Sequence, residues 1–365
     1  MPARVVLAMS GGVDSSVAAL LLKQQGYEVI GLFMRTGAHE GQTEISAPPS
    51  RAAAKQGCCS ALDAGDARRV ADRLDIPFYA LDFEQDFAKI IDYFADEYLA
   101  GRTPNPCVVC NNWLKFGKLW SYGQQLQADH VATGHYARIV QREGRAELHQ
   151  SADPDKDQSY VLGGLRKSIL PHVLFPIGGM KKGEVRAIAR QLGLGVADKP
   201  DSVEICFVPD QDHGALIRRR RPELQTTGKI VDTRGQVLAD HPGIENFTIG
   251  QRKGLGFAAG SRRYILDIVP ADNRIVVGDR DQLLASGLMA ARVNWLTDAP
   301  PAAPLPCSAK IRYRHPPAAA VVHALADGAA RVEFALPQTA VTPGQAVVFY
   351  DGSRVLGGGW IEERI

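Results

Sequence analysis

A chain of 365 residues with 45% apolar and 22% charged side chains is too long for one ordinary domain and reads as two or three globular ones, not as a disordered or fibrous protein. No apolar run is long enough to span a membrane, and the first apolar run, 4–9, passes straight into a glycine turn. Neither a membrane segment nor a secretory leader is expected, and the cytoplasm is the expected location. The net charge of +2 divides into −1 over residues 1–205 (23 basic, 24 acidic) and +3 over the rest (19 basic, 16 acidic), so any surface for a polyanion must be local.

The first two hundred residues alternate strand and helix. Periodicity predicts strands over 5–9, 27–34, 77–83 and 129–133, and helices over 14–25, 66–74, 87–99, 111–126 and 182–192. Such alternation implies a doubly wound parallel sheet. Residues 36–57 read as a surface loop at the end of the second strand. After about Cys206 short strand-like runs take over, at 228–232, 263–269 and 274–278, broken by Gly, Pro and Asp turns. Five more follow at 308–313, 319–325, 330–335, 346–350 and 354–361, enough for a small β-barrel. The expected architecture is α/β: a parallel-sheet domain over 1–206, a β-rich domain over 207–283 and a C-terminal β-barrel over 284–365.

The string Ser10-Gly11-Gly12-Val13-Asp14-Ser15-Ser16 joins the first strand to the first helix. Its two glycines let the backbone turn tightly and aim N–H groups at an anion, to which the helix N-terminus adds partial positive charge. Ser15 and Ser16 supply hydroxyls, and Asp14 is placed to hold Mg2+ on phosphates. No lysine ends the loop, so it is not the ATPase P-loop and suits pyrophosphate held as a leaving group. The alternative is a plain strand-to-helix turn. The string resembles the signature of the N-type ATP pyrophosphatases, which adenylylate a substrate oxygen and release pyrophosphate. That resemblance implies ATP and Mg2+, but the signature is shared by enzymes that make GMP, NAD, argininosuccinate and thiolated tRNA bases.

Six cysteines, Cys58, Cys59, Cys107, Cys110, Cys206 and Cys307, are too sparse for a disulfide framework. In 101–111, Pro104 and Pro106 keep the chain extended, and Asn111 reads as a helix cap. Cys110 then falls at a helix N-terminus, where a thiolate is favoured and a nucleophile is expected. Cys206, between Ile205 and Phe207, reads on its own as a small buried hydrophobe.

Five strings in order, SGGVDSS, GRTPNPCVVCN, ATGHYAR (132–138), DKDQSY (155–160) and DSVEICF (201–207), together resemble the tRNA-specific 2-thiouridylases over almost the whole chain. The resemblance implies a tRNA partner, ATP-dependent exchange of a wobble uridine oxygen for sulfur in the lysine, glutamate and glutamine tRNAs, and a cysteine desulfurase or relay protein as persulfide donor. It makes Cys110 the nucleophile and Cys206 the persulfide carrier, with a disulfide between them after sulfur release. Asp14 joins them in the catalytic set, and Cys107 is read as variable. ATP contacts carried over are Ala8, Met9, Ser10, Gly11, Gly12, Val13, Asp14, Ser15, Ser16, Met34 and Gly134. Those to tRNA are Asn105, Pro106, Cys107, His135, Lys156, Asp157, Gln158, Arg312, Tyr313 and Gln345. Without the resemblance, His135 reads as an interior histidine, 155–159 as a solvated turn, and Arg312 and Tyr313 as barrel surface. A monomer is expected.

Basic clusters at 218–221, 252–253, 262–263 and 310–314 are candidate phosphate contacts, the last raised by its interleaved Tyr313. Three alternatives stay open: adenylylation of a small metabolite, an iron–sulfur or metal site built on Cys107, Cys110 and Cys206, and an RNA-binding module without ATP turnover.

Overall fold

The computed structural model describes residues 2–37, 61–201, 205–208, 210–257 and 262–365. Its chain forms two compact units, the first from residues 1–90, 107–211 and 353–355, the second from 91–106, 212–352 and 356–365.

In the first unit β1 (Arg4–Ala8) leads through the glycine loop to α1 (Val13–Gln24), β2 (Glu28–Arg35), α2 (Ala61–Arg73), β3 (Phe78–Asp82) and the first part of α3 (Glu84–Leu99). A long helix follows, α4 (Pro106–Val109), a π-helical stretch (Cys110–Lys118) and α5 (Leu119–Gln125), then β4 (His130–Thr133). The hairpin β5 (Ala137–Arg142) and β6 (Arg145–Gln150), the short β7 (Val173–Leu174) and α6 (Lys182–Gln191) complete it. The sheet has order β3-β2-β1-β4-β7 and is parallel throughout. Val5, Val6 and Leu7 of β1 are fully buried, as a strand covered on both faces must be. The order reverses at β1, so the loop after β1 opens at the crevice where doubly wound sheets bind ligands.

The expected strands and helices of this region are present within a few residues. The hairpin β5–β6 is not among the expectations. It is amphipathic and short, and its strand β6 pairs at His149 with Arg354, a partner 205 positions along the chain. The long helix starts at Pro106, five residues before the expected start, because proline suits a first helical position where no N–H is needed. Asn111 is therefore not a cap. It is buried inside the π-helical stretch and donates from Nδ2 to the Val161 carbonyl at 3.3 Å. The loop reading for 36–57, and Cys58 and Cys59, fall largely or wholly outside the described residues.

The second unit contains α7 (His213–Arg220) and a four-stranded sheet of β8 (Gly228–Asp232), β9 (Val237–His241), β10 (Tyr264–Val269) and β11 (Arg274–Gly278), in the order β10-β11-β8-β9. Ile230, Ile265, Ile275 and Val277 form the fully buried centre of its core. β12 (Leu284–Trp295), β13 (Leu305–Lys310), β14 (Ala318–Ala324), β15 (Ala330–Thr339), β16 (Ala346–Asp351) and β17 (Arg354–Arg364) follow in the spatial order β12-β15-β14-β13-β16-β17, and a β12–β17 pairing closes the barrel. Its interior is filled by inward-facing residues such as Leu288, Val322, Val332, Val347, Phe349 and Ile361. Residues 91–106 belong to this unit by contact. Arg102 meets Glu97 and Glu362, and the Thr103 N–H donates to the Pro343 carbonyl at 2.9 Å.

Candidate active site

The loop after β1 is shaped by its own short polar side chains. Gly11 takes φ +71°, and a Cβ there would stand 2.2 Å from the Asp63 carbonyl oxygen, so no side chain fits. Gly12 caps α1 without a side chain, which leaves the first helical N–H groups to a ligand. The Ser15 and Ser16 hydroxyls turn back to the Gly12 carbonyl at 3.1 and 2.8 Å, and the Ser10 N–H donates to Ser15 Oγ at 3.2 Å. Ala8 ends β1, while Met9 and Val13 are buried beneath the loop. Met34 lies half-buried near the end of β2. Gly134 follows β4, and a Cβ on it would come within 2.7 Å of the Ser15 nitrogen. Glycine there lets the β4 loop touch the start of α1. These features bring Ser10 to Ser16 and Gly134 around one helix N-terminus, with Met34 near the end of the neighbouring strand, an arrangement that fits a polyphosphate.

Asp14 is the acidic group of this loop, and the structure supplies partners that the local sequence lacks. Lys182, at the start of α6, places Nζ 2.8 Å from both Asp14 carboxylate oxygens, and Tyr136 donates its hydroxyl to Asp14 Oδ1 at 2.8 Å. The Lys182 ammonium also lies 2.8 Å from Asp201 Oδ1 and 5.6 Å from the Tyr136 ring centre. Burial first, then the Asp14 charge, pushes the Tyr136 phenol well up, so it stays a donor. Asp201 is further held by Lys156 at 2.8 Å and Arg186 at 3.0 Å. Burial works against its charge, but the hydrogen bonds from Lys156 and Lys182 bring it down to about 2. Lys199 donates to the Gly11 carbonyl at 3.1 Å and to Asp66 at 2.8 Å, and also holds Asp63. Burial lowers its affinity for the proton, but Asp63 and Asp66 raise it by more. The loop thus has two lysines beside it, delivered from 168 and 188 residues away.

Lys182, Lys199, Tyr136 and Asp201 escaped the sequence reading. Tyr136, Asp201 and Lys199 lie in or beside strings that were singled out, and Lys182 opens a well-formed amphipathic helix. No local spacing connects any of them to Asp14.

The tract 155–159 is not a solvated turn. Asp157 is buried and accepts from the Ser151 N–H at 3.0 Å and the Ser159 hydroxyl at 2.8 Å. Gln158 grips Tyr136 by the backbone on both sides, with Oε1 accepting its N–H at 2.9 Å and the Gln158 N–H donating to its carbonyl at 2.8 Å. His135 is enclosed, with Nδ1 2.6 Å from Thr133 Oγ1 and its ring against Phe116 and Phe175. Burial and the nearby Lys115 hold its pKa well below the ordinary value, so the ring is neutral.

Cys107 is exposed, and Cys110 and Cys206 are half-buried. Cys110 sits not in the first turn of its helix, as expected, but at the start of the π-helical stretch that follows that turn. Such stretches are rare and frequent at functional sites. Cys206 is followed by the buried Phe207 and Val208, and the Phe207 ring meets Phe87 of α3 edge-on at 5.7 Å.

In the second unit Asn105 and Gln345 face each other at 3.5 Å, and Gln345 Nε2 donates to the carbonyls of Thr103 and Pro104 at 3.0 Å each. Arg312 and Tyr313 lie in the turn after β13, not in the strand as expected. Arg312 donates to the Thr339 carbonyl at 2.7 Å, Tyr313 is exposed, and Lys310 is buried with its ammonium over the Tyr313 ring. The cluster 218–221 is largely committed within the fold. Arg218 pairs with the buried Glu245, and Arg220 and Arg221 converge on Asp92.

A separate cavity of about 720 Å³, lined by Trp120, His130, Arg166 and His172 among others, adjoins the N-terminal end of β4, the end opposite the loop.

Family profiles match three successive stretches: a tRNA methyl transferase HUP domain over residues 3–210, a tRNA methyl transferase PRC-barrel domain over 216–279, and an aminomethyltransferase β-barrel domain over 285–361. With the parallel sheet and its switch-point loop, they define a protein with a parallel-sheet HUP domain, a β-rich PRC-barrel middle domain and a closed barrel. The tRNA-specific 2-thiouridylase MnmA of Rhodopirellula baltica is 50% identical over 388 aligned positions, covering 99% of this chain and 97% of its own. That of Symbiobacterium thermophilum is 48% identical, covering 99% and 93%. The chain belongs to the tRNA-specific 2-thiouridylase family. Among solved structures, an NMN synthetase from Francisella tularensis aligns over 61% of this chain and 78% of its own, at 15% identity and a TM-score of 0.35.

Proposed function

We propose that this protein is a cytoplasmic, monomeric tRNA sulfurtransferase that replaces O2 of a wobble uridine with sulfur in the lysine, glutamate and glutamine tRNAs. The observation that carries the reading is the uncapped α1 N-terminus with Asp14, in the same unit as Cys110 and Cys206. In this reading the chain divides near 206 and 283 into adenylylating, linking and barrel domains.

The uridine O2 attacks the α-phosphorus of ATP, and pyrophosphate leaves into the amides of Gly11 to Ser15, where donors are already oriented toward the developing charge. Asp14 is the residue that would hold Mg2+, which when bound neutralises phosphate charge. A single carboxylate beside a phosphate cradle suits a cation that keeps several waters. Lys182 and Tyr136 occupy that carboxylate in this structure, so the cation displaces at least one of them. Adenylylation converts a carbonyl oxygen into a leaving group, AMP.

The base then accepts sulfur at C2. Cys206 carries a persulfide obtained from a cysteine desulfurase or a relay protein. The Cys110 thiolate attacks the Cys206 sulfur, a Cys110–Cys206 disulfide forms, and the terminal sulfur leaves as sulfide to attack C2 and expel AMP. A thiol reductant supplies two electrons to restore both cysteines. Asn105, Pro106, Cys107, Arg312, Tyr313 and Gln345 are assigned to the tRNA, with Gln345 also bracing the Thr103–Pro104 backbone. Lys156, Asp157, Gln158 and His135 mark the tRNA side of the loop. Buried Asp157 and His135 act there by shaping the backbone.

The test combines the protein, ATP, Mg2+, a persulfide source and unmodified glutamate tRNA, and resolves thiolated tRNA on a mercury-containing gel. A retarded band is expected for the wild type and not for Cys110→Ser or Cys206→Ser. Pyrophosphate release without a band would point to a different sulfur source, and iron content of anaerobically purified protein would then decide for or against a cluster. Neither band nor pyrophosphate would overturn the assignment.

A further inference from the structure

Two separate chains of contacts run from the tract Lys156–Gln158 to Asp14. In the first, Gln158 holds the Tyr136 backbone by two hydrogen bonds, at 2.9 and 2.8 Å, and the Tyr136 hydroxyl donates to Asp14 Oδ1 at 2.8 Å. In the second, Lys156 binds Asp201 Oδ2 at 2.8 Å, Asp201 Oδ1 meets Lys182 at 2.8 Å, and Lys182 spans both Asp14 oxygens at 2.8 Å. The two are braced against each other, since the Lys182 ammonium stands over the Tyr136 ring and its backbone N–H donates to Asp153 Oδ2 at 2.9 Å. All of these residues lie in one compact unit.

The ends of these chains differ in character. Lys182 is 11% exposed and Asp157, inside the tract, is 6% exposed, so the inner links are fixed by burial. Lys156 is 39% exposed and can be reached by a phosphate, which would compete with Asp201 for its ammonium. Asp201 would then fall more fully to Lys182 and draw that lysine from Asp14. A carboxylate that loses one cation and keeps one hydroxyl donor is open to a metal–phosphate group and still oriented.

We propose that Tyr136 is a positioning residue that couples RNA occupancy of the Lys156–Gln158 tract to the readiness of Asp14 for ATP. Tyr136 acts here through Gln158 and Asp14. Its backbone is tied to the tract, and its hydroxyl keeps Asp14 aimed when Lys182 lets go. The inference rests on the assignment of that tract to tRNA and of Asp14 to ATP. It adds that ATP with its cation is held tightly only once RNA is seated, before any bond is made.

Coupling between two ligands is reciprocal and commonly worth a factor of about 5 to 150 in affinity. The experiment measures binding of α,β-methylene ATP with Mg2+ to the full chain, with and without saturating unmodified glutamate tRNA. The wild type should bind the analogue at least about fivefold more tightly with tRNA. Tyr136→Phe keeps the ring and removes the hydroxyl. It should bind tRNA alone as the wild type does, and the tRNA effect on the analogue should fall below about twofold. In turnover it should lower kcat for pyrophosphate release about tenfold or more and leave KM for tRNA in place. Should Tyr136→Phe melt far below the wild type, Lys156→Met is read instead, with the same loss of coupling expected. Full coupling in these variants, or none in a wild type that thiolates tRNA, would overturn the inference alone. A wild type that does not thiolate at all would overturn the functional reading beneath it.

Discussion

Gly134 shows how one missing methyl group lets two segments of backbone meet. A Cβ there would press on the Ser15 nitrogen at 2.7 Å and on the Asp14 carbonyl carbon at 2.8 Å, both of them backbone atoms that cannot step aside. Gly134→Ala should therefore move the α1 N-terminus. The expected outcome is at least a tenfold weaker affinity for ATP in equilibrium binding, with a loss of stability of only about 1–3 kcal/mol, the usual range for overpacking. A change in melting temperature with ATP affinity intact would show that α1 yields elsewhere. His135, next along, gives a pH prediction. Burial keeps its folded-state pKa well below the ordinary 6.5, so only the unfolded chain takes up its proton as pH falls through that value. Stability should be level in this respect above pH 6.5 and decline below it, by at most about 1.4 kcal/mol per pH unit. Urea unfolding of wild type and His135→Gln at pH 7.5 and 5.5 checks it, and an equal decline in both would place the titration elsewhere.

Among elements, the helix from Pro106 to Gln125 and the short α7 repay comparison with their sequences. The first was legible as a helix, but its start was misplaced because Asn111 has a capping side chain and Pro106 lies in what looks like a turn. Burial of Asn111 against the Val161 carbonyl is a tertiary fact that no local pattern carries. The arginines of α7 read from sequence as an open basic patch. Instead Arg220 grips Asp92 at 2.8 and 3.0 Å, and Arg221 joins it at 2.9 Å. The Arg220 hydrogen bond, supported by Arg221 and opposed by partial burial, takes the Asp92 carboxyl down to about 2. Its pKa is lower folded than unfolded, so the contribution is present above about pH 4 and lost as pH falls toward 2. The carboxylate is 34% exposed, so roughly 1 kcal/mol is a fair expectation after solvent screening. Asp92→Asn should cost that amount at pH 7 in low salt, and clearly less in 1 M NaCl. Salt-independent loss would assign the effect to packing.

At the scale of the whole molecule, the parallel sheet, the change to β structure after Cys206 and the barrel strands were all readable, because each rests on local periodicity and turn chemistry. The tight turn between β1 and α1 was readable for the same reason, its glycines and serines being contiguous. The lysines that serve it were not. Lys182 and Lys199 reach Asp14 and Gly11 only after the chain has wound through the sheet, and nothing within ten residues of either announces it. Cys110 was singled out by its expected place at a helix N-terminus and Cys206 only by likeness to a family, and the structure places Cys110 one turn deeper in its helix than the capping reading of Asn111 had it.

The contact units do not follow the chain as consecutive stretches. Residues 91–106 leave the first unit and are held in the second by Arg102, which bridges Glu97 at 2.8 Å and Glu362 at 2.7 Å, and by the Thr103–Pro343 hydrogen bond at 2.9 Å. No single cut can then release a self-sufficient ATP-binding half. A fragment ending near residue 210 would take Glu362 from Arg102, the Pro343 carbonyl from the Thr103 N–H, and Gln345 from the Thr103 and Pro104 carbonyls. Such a fragment should be recovered as aggregate, or show early exchange of its amide hydrogens across 91–106 in mass spectrometry. A fragment that exchanges there as slowly as the full chain would show that the excursion is held by its own first half. For anyone grafting this domain onto another RNA-binding module, β17, the barrel strand that receives Arg102 at Glu362, has to travel with it, and with β17 the whole second unit.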